Sequence, residues 1–99
     1  MQVTNTNELS AFMGRLKTWA EKNSYETLLS AIISTEKTSF TASELIIKYG
    51  EVLKNLKKNV PANLPPELKN NIDLGIEVSS LGVQTVEYEE TKRSLFSLG

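Results

Sequence analysis

TASELIIKYGEVLKNLKK, residues 41–58, reads as one helix with a start signal, an apolar stripe and a basic outer face. Thr41 followed three residues later by Glu44 fits a capping box, in which the hydroxyl takes the Glu44 N–H and the carboxylate reaches back to the Thr41 N–H. At about 100° per residue, Leu45, Tyr49, Val52, Leu53 and Leu56 share one face with Ile46 at its edge. Lys48, Glu51, Lys54, Asn55, Lys57 and Lys58 fall on the other, and Ile47 projects among them. The spacing predicts a helix from Ala42 to Lys58.

Working upstream, Phe40 precedes the cap, and the expectation is a hydrophobic staple in which it packs against Leu45. Thr35 to Ser39 are polar. Before them, Tyr25, Leu28, Leu29, Ile32 and Ile33 form one side of a second helix, expected from Tyr25 to Ser34 with Ser24 as its cap. Leu9, Phe12, Met13, Leu16, Trp19 and Ala20 make the apolar arc of a first helix over residues 6–22, with Asn5 and Glu8 as its start signal. Residues 1–5 read as loose.

Downstream, Pro61, Pro65 and Pro66 stop the third helix, and Pro66 can open a fourth at its first turn. That helix is expected to cover Pro66 to Leu81, with Gly82 beyond it in the left-handed cap position. Its apolar residues spread over more than half the circumference, so it is expected to be the most enclosed helix. Gly75 and Ser79, one turn apart, would let a neighbouring backbone come close. In the last stretch, the Glu89/Arg93 spacing favours a short fifth helix from Val86 to Leu98. Val83, Thr85 and Val86 would also suit an extended strand. The fold class expected is all-α: one domain over residues 1–99, a compact bundle of four helices plus a short C-terminal fifth.

The 99 residues contain no histidine and no cysteine. Zinc sites, thiol chemistry, Ser-His and Cys-His nucleophile systems and histidine proton shuttles are removed together. The five glycines are scattered and form no phosphate-cradling loop. Glu87, Glu89 and Glu90 lack an Asp, His or metal-ligand companion and read as a charged surface turn. The expectation is a protein that is not an enzyme and takes no cofactor or metal. With no apolar run near the roughly 20 residues a spanning helix needs, no membrane partner is expected, and the chain reads as cytoplasmic.

Two binding surfaces stand out. Lys48, Lys54, Lys57 and Lys58 could neutralise phosphates on RNA or DNA without sequence specificity, against the plainer reading of a solvated helix face. Ile47, with Leu95 and Phe96 of the tail KRSLFSLG, could meet a protein partner. A helix-turn-helix DNA-binding regulator is a third reading, weakened because Val52, Leu53 and Leu56 continue the stripe past Gly50 where a turn is required. Phe12, Trp19 and Tyr25 read as core rather than as a base-stacking platform.

Thr41-Ala-Ser43-Glu-Leu45, with Tyr49 a turn later and a lysine-rich continuation, resembles the helix-opening pattern in the small helical subunits of CRISPR effector complexes. The likeness covers residues 41–58 of the 99. It implies a non-enzymatic subunit of a ribonucleoprotein for antiviral defence, packed against other protein subunits and touching RNA or DNA through basic side chains. Lys48, Lys54, Lys57 and Lys58 lie within or beside the matching segment. Where part of that family carries an arginine after the cap, this chain has Ile46 and Ile47. The rival expectation is a protein-binding adaptor or inhibitor with no nucleic-acid contact.

Overall fold

The computed structural model of the chain describes residues 2–81. Its helices are α1 (Thr6–Lys22), α2 (Glu26–Thr38), α3 (Ala42–Lys58) and a bent α4, with a first arm (Pro66–Lys69) and a second arm over 72–81. No strand occurs among the described residues. The fold is an all-α bundle of four helices. The expected fifth helix, the Gly82 cap and the tail residues Leu95 and Phe96 lie outside the described residues.

α1 begins where Asn5 predicts: its Oδ1 accepts the Glu8 N–H at 2.8 Å. The helix ends in a Schellman motif. The Tyr25 N–H donates to the Ala20 carbonyl at 2.8 Å and the Ser24 N–H to Glu21 at 3.4 Å, with Ser24 between them at φ 54°. The hydrophobic contact that accompanies such a motif is here the Trp19 and Tyr25 rings, 5.9 Å apart. This corrects the expectation for Ser24. It is held in the left-handed closing position of α1, at a cost for a non-glycine residue of about 1–2 kcal/mol. Tyr25 therefore stands at the start of α2 without a side-chain cap bond.

α2 also runs past Ser34, to Thr38. The Thr38 and Ser39 hydroxyls donate to the carbonyls of Ser34 and Thr35, at 2.7 and 2.6 Å, satisfying groups that the end of a helix leaves open. Sequence periodicity cannot register this, because the extension is held by polar groups.

α1 packs on α2, α2 on α3, and the first arm of α4 on α1. The most enclosed helix is α1, in which Leu9, Phe12, Met13, Leu16 and Ala20 are almost wholly covered. α4 was expected in that place, yet Leu74 and Ile76 are only half-buried and Leu81 is exposed. The cause is the bend. Around 70–71 the bonding tightens to Asn71 N–H onto the Leu68 carbonyl, while Asn71 Nδ2 donates to Glu67 O at 2.8 Å. Asn71 Oδ1 then accepts the Val3 N–H at 3.0 Å. Val3 is 1% exposed, so the segment read as loose is tied into the core at that residue.

The second arm returns along α3. A methyl group at Gly50 would overlap Ser79 Oγ and lie 2.9 Å from Ser79 Cβ, and one at Gly75 would lie 2.6 Å from Leu53 Cδ1 and 3.3 Å from Leu9 Cδ1. The close approach of a backbone expected at Gly75 and Ser79 is present at Ser79, whereas Gly75 meets the side chains of Leu53 and Leu9. Gly50 is the counterpart of Ser79 on α3.

Candidate functional site

The corner between α2 and α3 is fixed by a set of hydrogen bonds and an ion pair that begins with Glu44. Thr41 Oγ1 accepts the Glu44 N–H at 3.1 Å, as the sequence predicts. The return half of the box differs. Glu44 Oε2 accepts the N–H of Phe40, one residue before the cap, at 3.2 Å, and Oε1 pairs with Lys48 Nζ at 3.1 Å. Both oxygens are thus engaged, and the Phe40 N–H followed by Lys48 lowers the Glu44 pKa below its ordinary 4.5. Lys48 also reaches α2, donating to Thr38 Oγ1 at 3.1 Å and to the Thr38 carbonyl at 3.4 Å.

Phe40 stands at the centre of this frame with its backbone bonded and its side chain 91% exposed. The expected staple does not form. Leu45 packs partly into the core, while Phe40 faces water. Its exposure was missed because a hydrophobic residue before a cap favours a staple. A contrary signal was present, since Phe40 is a lone aromatic in the run STEKTSFTAS, residues 34–43.

Behind the corner, a polar chain crosses three helices. Lys17 of α1 donates to Glu36 Oε1 at 2.8 Å, and the hydroxyl of Tyr49 on α3 donates to Glu36 Oε2 at 3.3 Å. Burial, with Glu36 alongside, raises the Tyr49 pKa to about 12. This chain links α1, α2 and α3 through Glu36.

The four lysines do not form one patch. By the helical repeat of about 100°, Ile47, Lys54 and Lys58 fall within an arc of about 40° on the outer ridge, with Lys48 about 80° to one side and Lys57 about 60° to the other. Lys48 belongs to the corner, and Lys57 pairs with Asp73 of the second arm at 2.7 Å. Lys54 reaches Glu51 at 3.6 Å, and Lys58 has no ion pair among the described residues. Ile47 is 45% exposed on this ridge. Nearby carboxylates therefore offset the positive charge of three lysines. Exposed pairs of this kind contribute only about 0–1 kcal/mol and can exchange partners.

A half-open apolar cleft of about 250 Å³ lies between α2 and α3, toward the start of α2 and the end of α3. Tyr25, Leu28, Ala31, Val52 and Leu56 supply its walls, with Thr27, Asn55 and Asn59 also lining it. Among the described residues, no group of three or more acidic side chains is placed to hold a metal ion, and no helix is long and apolar enough to cross a membrane. Phe12 and Trp19 are buried in the core, as their positions on α1 predict.

The chain matches no protein-family model, no curated protein and no solved structure.

Proposed function

We propose that this is a non-enzymatic helical binding module that docks onto protein through the α2–α3 corner, with Phe40 as the anchor. The observation that carries this reading is an aromatic side chain 91% exposed on a backbone held by its own capping carboxylate. Aromatic anchors dominate binding energy at protein interfaces, and a surface already ordered before contact loses less entropy on binding. Ile47, one further exposed aliphatic on α3, extends the apolar contact, and Thr38, Ser39 and Thr41 supply a polar rim. The lysines are better accounted for as parts of the scaffold: Lys48 braces the corner and Lys57 ties the second arm of α4 to α3.

A second reading, a small subunit of a nucleoprotein assembly contacting RNA or DNA, is favoured by one observation. Lys54 and Lys58 share the outer ridge, and the Lys54 bond to Glu51 is long. A phosphate could displace that carboxylate.

One pair of experiments separates the two. The chain immobilised as bait is expected to retain partner proteins that Phe40→Ser loses and Lys54→Glu/Lys58→Glu keeps. Fluorescent single-stranded RNA, single-stranded DNA and duplex, titrated at two salt concentrations, are expected to bind weakly if at all. Saturable, steeply salt-dependent binding abolished by the Lys→Glu changes, with an unaltered partner set for Phe40→Ser, would overturn the first reading in favour of the second.

A further inference from the structure

Residues 82–99 carry an acidic stretch, Glu87, Glu89 and Glu90, and after it the tail KRSLFSLG. The fold determines where that segment starts. Along the seam, Asp73 pairs with Lys57, Gly75 lies against Leu53 and Ser79 against Gly50, so the second arm of α4 runs antiparallel to α3. Two residues past Ser79, Leu81 comes level with the turn of α3 that holds Ile47. At 1.5 Å per helical residue, Phe40 lies only about 10 Å farther along the same axis. Phe40, Ile47 and Leu81 are the large apolar side chains exposed among the described residues, and all three stand toward this end of α3. The chain therefore delivers residues 82–99 to the edge of its own exposed apolar patch.

Charge and apolar order match along the outer ridge. Taken from its C-terminal end, the outer side of α3 presents Lys58, Lys54, Glu51 and Ile47, with Phe40 beyond. The segment presents, in chain order, the three glutamates, then Lys92 and Arg93, then Leu95, Phe96 and Leu98. Laid antiparallel to α3, its carboxylates meet Lys58 and Lys54, its cations meet Glu51, and its apolar group meets Ile47 and Phe40. The spacings agree too. Lys58 lies about 16 Å along the helix from Ile47, and Glu90 to Leu95 spans about 16 Å as extended chain. Residues 82–86, extended, cover a further 16 Å or about that, which carries the acidic stretch out to Lys58 before the return. The ridge charges are open to such partners, since Lys58 has no ion pair among the described residues and the Lys54–Glu51 pair is long at 3.6 Å.

We infer that residues 82–99 fold back along the outer ridge of α3, with Glu87, Glu89 and Glu90 against Lys54 and Lys58 and with Leu95, Phe96 and Leu98 over Ile47 and Phe40. The inference rests on the reading of the corner as a docking surface, and it names the occupant that a partner displaces. A tethered segment meets its surface at an effective concentration of about millimolar, so a contact too weak to join separate molecules forms here. Its ion pairs are exposed and screened by salt, so the cover opens readily to a partner that buries Phe40.

The test is paramagnetic broadening in the full chain. With no cysteine in the sequence, Ser97→Cys takes a single nitroxide label. The amide signals of Phe40 and Ile47 are expected to broaden, unchanged on dilution, while those of Thr27 and Asn59 at the cleft stay sharp. Leu95→Ser/Phe96→Ser is expected to abolish the broadening, with circular dichroism checking the fold. A label at Thr91→Cys guards against a nitroxide at 97 that obstructs the contact. It is expected to broaden Lys54 and Lys58 more than Phe40, and to lose that effect in Lys54→Glu/Lys58→Glu.

If neither label broadens the ridge or the corner, the inference is overturned. Broadening at the cleft instead, broadening that dilution removes, or the reverse order from Thr91 overturns it also. Used as bait, Leu95→Ser/Phe96→Ser is expected to retain more of the partners that Phe40→Ser loses. If no contact is found while Phe40→Ser still loses its partners, the cover is ruled out and the docking anchor stands. If the contact forms but Phe40→Ser loses no partner, the docking reading fails, and the displaceable cover fails with it.

Discussion

Two stretches of α3 are held in place by opposite means. At its first turn, the Thr38–Glu44 corner is fixed by hydrogen bonds and turns its one aromatic residue outward. From Gly50 to Lys57, the seam with the second arm of α4 is fixed by close packing, with no space for a methyl group at Gly50 or Gly75. Packing fixes a position only by covering it. Hydrogen bonds to the backbone can fix a position and leave the side chain free, as a docking surface requires. The seam therefore accounts for stability, and the corner for presentation.

If that division is right, the largest losses of stability come from the seam. Leu53 is fully buried and fills the space beside Gly75, so Leu53→Ala is expected to cost about 2–5 kcal/mol, read from urea unfolding followed by circular dichroism. A loss below 1 kcal/mol by the same method, far under the range for a buried leucine, would show that the second arm is not closely seated.

Gly75→Ala sharpens the same point. Alanine gains about 1 kcal/mol over glycine in helix propensity, yet the added methyl meets Leu53 Cδ1, and overpacking costs about 1–3 kcal/mol. The expected balance is destabilising. A raised unfolding midpoint would mean that Leu53 yields easily.

The corner responds more modestly. Thr41→Ala removes the cap and is expected to cost about 1 kcal/mol, with faster amide exchange at Glu44 as a local readout. Acid acts on the same element. The Glu44 pKa is lowered in the folded state, so its contribution is present above the ordinary 4.5 and is lost as pH falls through the depressed folded value. A protection of the Glu44 amide, relative to its unfolded rate at each pH, that ignores both the substitution and the acid would contradict the frame described around Phe40.

Between corner and seam stands Tyr49, whose effect is confined to alkaline solution. Its folded pKa of about 12 lies above the ordinary 10.0, so the unfolded chain loses this proton first. Stability from this group is complete below pH 10 and declines as pH rises toward 12. Phenolate absorbance is expected to show a late-ionising step that Tyr49→Phe removes. A Tyr49→Phe variant that loses no late step, with the helical signal intact, would remove Glu36 and burial as controls on Tyr49.

The smallest expected change in stability is at Phe40. With its side chain almost wholly in water, Phe40→Ser is expected to stay within about 0.5 kcal/mol of the native chain, while partner binding is lost. A large loss of stability would place the ring in the core after all, and the comparison between corner and seam would fail.

Local signals in the chain were sufficient for much of this. The Asn5 and Thr41 caps, the apolar stripes of α1 and α3 and the prolines that end α3 act within one or two turns, so their consequences can be read from neighbouring residues. The close approach at Ser79 was legible because small residues one turn apart leave a visible gap in a helix face. Ser24 differs from its expected place as the α2 cap because the Tyr25 and Ser24 N–H groups bond back to Ala20 and Glu21, with Trp19 against Tyr25, and hold it at the close of α1. Asn71 and Val3 are 68 positions apart, beyond any local rule.

The candidate site divides along the same line. The lysines and Ile47 were visible as an outer face of α3, and the chain alone determines that they lie there, because helical periodicity is a property of the backbone. Whether they form one charged surface depends on which carboxylates the fold brings beside them. Asp73 and Thr38 reach Lys57 and Lys48 from other helices. The outward turn of Phe40 was likewise decided in three dimensions. Its staple partner Leu45 packs partly into the core, and the polar frame around Glu44 fixes the Phe40 backbone while its ring remains in water.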